Sequence, residues 1–163
     1  MENRKYAVLM IDSLKNKQKL LETLLNKTKD QEELIKGNDY DDVNWKQFDV
    51  IIEEKNNAIN RIEALDDGFT QIFDKMKSEM DEHKAEYAKE IKEMQELIKE
   101  ITELSVAIQT LEERNRKDIE RIMFDSKREI KQTKKNLKVS GAYIASMYGG
   151  NIPPESSQID DKK

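Results

Sequence analysis

Residues 87–137 read YAKEIKEMQELIKEITELSVAIQTLEERNRKDIERIMFDSKREIKQTKKNL. The stretch holds neither glycine nor proline. Its apolar or small residues return in steps of three and four: Tyr87, Ile91, Met94, Ile98, Ile101, Ser105, Ile108, Leu111, then Ile119, Ile122, Ile130 and Leu137. Alternating steps average about 3.5 residues, the spacing that keeps one stripe facing a partner along a supercoiled helix. Glu, Lys, Arg and Gln, all good helix formers, fill most other positions. The pattern predicts one helix of about 75 Å at 1.5 Å per residue. A helix that long cannot bury its stripe alone, so the rest of the chain, or another chain, must cover it.

Upstream, residues 5–36 repeat the pattern. Ile11, Leu14, Leu21, Leu25 and Thr28 form a seam that Val8, Leu20, Leu24, Leu34 and Ile35 widen, enough for more than one neighbour. Gly37-Asn38-Asp39 is expected to end this helix, because glycine and asparagine accept the left-handed conformation. Asp41, Asp42 and Asn44 are cap candidates for a second helix over 42–80. Its stripe is Trp45, Phe48, Ile52, Ile59, Ile62, Phe69, Phe73, Met76 and Met80, and it keeps phase across Gly68. These aromatics read as core.

Between 77 and 86 the stripe thins, with neither Gly nor Pro to mark a turn. A turn near residues 81–84 gives three antiparallel helices, the third over 84–148. A continuous helix from 42 to 148 would be about 160 Å long and would demand an intermolecular coiled coil. The first helix needs a neighbouring surface along its whole length, which favours the turn. The expected fold is therefore all-α: an elongated antiparallel three-helix bundle or coiled-coil hairpin with a long C-terminal helix. Residues 1–148 form its single domain, and the Pro-, Ser- and charge-bearing segment 149–163 is a disordered tail.

The composition agrees with a seam rather than a ball. Of 163 residues, 39% are charged and 36% hydrophobic, with five glycines and two prolines. No stretch approaches the roughly 20 apolar residues that span a bilayer, and the early apolar run 6–11 is too short for a signal-peptide core. With no cysteine, neither disulfides nor thiolate chemistry is available. A soluble cytoplasmic protein is expected, without membrane insertion.

Catalysis starts poorly, with one histidine, no phosphate-cradling glycine loop and no nucleophile motif. Glu79, His83 and Glu86 share a helical face, but a helical metal site draws ligands from several helices. They read as a solvated face, and no metal, cofactor or enzymatic activity is expected.

The net charge of −5 argues against general affinity for nucleic acid or anionic membrane. Residues 114–138, however, carry ten Lys/Arg against four Asp/Glu. This run lacks the aromatic interleaving that suits single strands and the basic fork that precedes a zipper. An acidic protein partner fits it better than nucleic acid. At 100° per residue, Phe124 lies about 140° from Ile119 and points away from the seam. Arg128, Lys131, Lys135, Val139 and Ala142 share its side, with Tyr143 at the edge. Apolar residues among cations suit an amphipathic helix that carries acids, unless another helix of the same chain covers them.

The segment Leu111-Glu112-Glu113-Arg114-Asn115-Arg116-Lys117-Asp118-Ile119, inside a long late helix, resembles one found in flagellar export chaperones of the FlgN/FliT type. Ile51-Ile52-Glu53-Glu54-Lys55 is similar to part of their second helix. Tyr143 and Tyr148-Gly149-Gly150, followed by Ser157, Ile159-Asp160 and Lys162-Lys163, resembles their tails. The resemblance implies a small helical chaperone that holds unassembled hook-filament junction (hook-associated) or filament-cap subunits in the cytoplasm. It also implies escort to a component of the type III export gate. Binding determinants in the family lie on the late helix, which maps onto Leu111, Asn115 and Ile119; the face from Phe124 to Tyr143 comes from the helical wheel. A homodimer is compatible with the same seam. The competing readings are a structural coiled-coil tether or assembly subunit and, more remotely, a nucleic-acid-binding regulator.

Overall fold

The computed structural model describes residues 2–133. Three helices account for nearly all of them: α1 (Glu2–Ile35), α2 (Trp45–Glu82) and α3 (Ala88–Thr133). No strand occurs among the described residues. Gly37 takes φ of 71°, and Asn38 Nδ2 donates to Leu34 O at 2.7 Å, together closing α1. A 3-10 turn at Tyr40–Asp42 occupies the expected start of the second helix. Of the three cap candidates, Asn44 does the work, its side chain accepting from Gln47 N.

The chain reverses at residues 83–87, so the continuous 160 Å helix does not form. The turn lies slightly later than expected. Arg4, from the start of α1, clasps it: the guanidinium sits over the Tyr87 ring, donates to Glu86 O at 3.0 Å and pairs with Glu90. This tertiary clasp replaces the local turn signal that the sequence lacks.

Cross-helix pairs fix the directions. Ser13 meets Leu65 and Lys17 meets Asp66 near one end while Gln31 meets Lys55 near the other, so α1 and α2 are antiparallel. Arg4 with Glu90, Gln18 with Glu100, Glu32 with Arg114 and Asn38 with Arg121 climb together, so α1 and α3 are parallel. Helix α1 packs along both others, whereas the backbones of α2 and α3 hardly approach each other.

That arrangement explains which parts of each stripe are buried. On α1, Ala7, Met10, Leu14, Leu21, Leu24, Thr28 and Gln31 are buried, while Val8 is 47% exposed. The buried line therefore centres one residue from part of the expected seam. On α2, Ile51, Lys55 and Ala58 face α1, and Ile59 and Phe73 stay 37% exposed. On α3, Leu97 is buried and Ile98 is 47% exposed. A second cluster of Ile35, Val43, Phe48, Ile119 and Ile122 seals the end beside the α1–α2 connection. No helix among the described residues is long and apolar enough to cross a membrane.

Candidate functional site

The residues expected to bind a partner divide into two groups. Leu111, Asn115 and Ile119 are 5%, 2% and 1% exposed. Asn115 Nδ2 donates to Thr28 O at 3.1 Å, and Ile119 packs in the cluster around Phe48. Their part is to hold α3 against the bundle, and their side chains offer a partner little surface. Apolar steps of four that continue the seam carry this meaning; a resemblance to a binding segment cannot separate it from surface contact.

Phe124 is different. It is 63% exposed, although Ile119 and Ile122 on the same helix are buried at 1% and 0%. No other described helix covers it. Arg128 is exposed one turn further on, and among the described residues its ion pair is a loose 3.9 Å contact with Asp125. Lys131 falls in the last turn of α3, and Lys135, Val139, Ala142 and Tyr143 lie outside the described residues.

The basic run is less available than its charge count suggests. Arg114 pairs with Glu32, Arg116 with Glu113 and Glu120, and Arg121 with Asp118 and Asp125. The Arg116 guanidinium beside Glu113 holds that carboxyl below its usual range. Among the described residues of the run, Lys117 and Lys127 have no ion pair, and Arg128 has the loose one to Asp125.

A second surface was not foreseen. Because α2 and α3 each pack along α1 and meet each other chiefly at the end where Phe48 clusters with Ile119 and Ile122, a groove opens between them over the rest of their length, with α1 as its floor. At the hairpin end it is a cavity of about 950 Å³, with Met10 below and Phe73, Met80, Ile91 and Ile98 among its walls. It continues past Leu14, Phe69, Ile101 and Val106, and reaches Ile59, Ile108 and Asn115 at the far end. The segments share Phe69 and Ile98 at one junction and Gln109 at the other, so they run into one another. Ile59, Phe73 and Ile98 lie on the stripes expected from the sequence, and each stays partly exposed where α1 alone of the described helices packs along that stripe.

One polar clasp bridges the groove. Lys55, 5% exposed, donates from Nζ to Gln31 Oε1 at 2.6 Å and pairs with Glu112 of α3. Burial pulls the Lys55 amine below its ordinary value, and the Glu112 carboxylate opposes that shift. Tyr87, buried beneath Arg4 with Glu79 nearby, has its phenol pushed up by burial and by that carboxylate. Among the described residues, no three His, Cys, Asp or Glu side chains gather closely enough to hold a metal ion.

Comparison with protein families matches residues 9–148 to the family described as FlgN protein. No curated protein and no solved structure matches. The matched segment covers both buried and exposed parts of α3.

Proposed function

The chain belongs to the FlgN family of flagellar export chaperones, and on that premise we propose that it captures hook-filament junction or filament-cap subunits through the outer face of α3. It acts in the cytoplasm, by binding without catalysis. It covers an amphipathic helix of the unassembled subunit, prevents premature assembly and delivers the subunit to the export gate. The observation that carries this reading is Phe124, a large apolar side chain 63% exposed on a helix whose opposite face is closed. Arg128, beside it, selects clients with acids flanking the apolar stripe.

Burying a phenylalanine supplies about 1.5–3 kcal/mol, or at least tenfold in affinity. Phe124→Ala combined with Arg128→Glu is therefore expected to weaken capture of purified junction or cap subunits by tenfold or more. Helicity by circular dichroism should stay unchanged. Capture of every flagellar subunit at full strength by this variant would overturn the assignment.

A further inference from the structure

We propose that the α2–α3 groove is a second docking site, and that its occupant is an amphipathic helix of a partner protein with carboxylates flanking its apolar stripe. The shape argues for a helix. Both walls are helices presenting ridges at three- and four-residue spacing, which interdigitate with another helix, and no strand edge is available among the described residues for an extended peptide to join. Phe73, Ile98 and Val106 are 37%, 47% and 55% exposed there, and an inserted helix would cover them as the fourth member of a bundle. The open part of the groove follows α3 from Ala88 to Gln109, about 30 Å, up to the Lys55–Glu112 pair that bridges it.

Charge chooses the occupant. In the middle of the groove Lys17 is paired with Asp66. At the far end Lys55 is paired with Glu112 and Arg116 with Glu113. At the hairpin end Lys77, Lys84 and Lys92 line the cavity against Asp81 alone, and none of the three lysines has an ion pair among the described residues. Uncompensated charge in the groove is thus positive and confined to that end, beside its largest apolar opening. A helix with an apolar stripe and flanking Glu or Asp complements both features; a Lys-flanked helix meets like charge.

The inference rests on the chaperone reading only in that the occupant belongs to a protein client, and it uses residues separate from the Phe124 face. The test uses the full chain and two synthetic helical peptides of about 20 residues, about 30 Å long. Both carry a leucine stripe; one is flanked by Glu and the other by Lys. The Glu peptide is expected to bind at least about tenfold tighter, and Lys77→Glu/Lys84→Glu/Lys92→Glu to reverse that order. All three lysines are exposed, so the fold is retained. Measured on the Phe124→Ala/Arg128→Glu background, which removes the outer face of α3 as a competing site, the Glu peptide should still bind, and adding Ile98→Glu should abolish that binding. A photoreactive benzoylphenylalanine at position 98 should crosslink to the peptide.

Failure of the Glu peptide to bind, or an unchanged preference in the triple variant, overturns the proposal. So does crosslinking to a second copy or to residues 134–163 of the same chain in place of the peptide. If whole flagellar subunits are still captured and the lysine variant captures them equally, the groove fails while the chaperone reading stands. If no subunit is captured by the unaltered chain, the chaperone reading fails instead.

Discussion

Lys55 is a cation held inside a three-helix seam, and its cost and its service pull in opposite directions. It ties Gln31 of α1 to Glu112 of α3 across the floor of the groove. Its desolvation outweighs the help from Glu112, so its folded pKa lies below the ordinary 10.5. The folded state then binds fewer protons than the unfolded state between the lowered value and 10.5. Stability from this group rises with pH across that window, and the penalty is fully present below it. Lys55→Met, which fills the site without the charge, is expected to be within about 1 kcal/mol of the parent or more stable at pH 7. It should also lose the alkaline rise in urea midpoint. Glu112→Ala leaves the ammonium with only the Gln31 amide and should cost about 1–3 kcal/mol. A larger loss for Lys55→Met than for Glu112→Ala would contradict this account.

Glycine separates the helix ends from the helix interiors. Gly37 sits at φ of 71° with nothing near its missing Cβ, so the only penalty for a side chain there is conformational. Gly37→Ala is expected to lower stability by about 1–2 kcal/mol. Gly68, within α2 and equally open, should gain up to about 1 kcal/mol as Gly68→Ala. Chemical denaturation of the two variants should therefore give shifts of opposite sign. The ends and stripes of these helices were legible because helix period and the Gly37-Asn38 cap are local. The turn at residues 83–87 was visible only as a thinning stripe, because Arg4, more than 80 residues away, is what clasps it. The shift from Ile98 to Leu97 as the buried residue was not legible. Both are apolar and adjacent, and only the position of α1 selects between them. Phe124 was placed correctly by the helical wheel, whereas Asn115 and Ile119, carried over by resemblance, prove to be core.

At the scale of the molecule, α1 is the one helix on which both others depend, since α2 and α3 hardly meet. Loss of α1 packing should therefore release both together. Met10, 1% exposed, lies beneath the hairpin end of the groove, while the chain's single tryptophan, Trp45, packs tilted against Tyr40 and edge-on to Phe48 at the opposite end. Met10→Ala removes buried volume where α1 holds the pair and should cost about 2–5 kcal/mol. Ile98→Ser, at a groove residue already 47% exposed, should cost far less. Under two-state unfolding, Trp45 fluorescence and helix ellipticity should give coincident urea midpoints, both lowered by Met10→Ala to the same degree. A fluorescence midpoint that stays fixed while ellipticity falls would mean that the two ends unfold independently. Coincidence would mean that a helix docked in the groove, bound only by the folded state, raises the stability of the whole bundle through mass action.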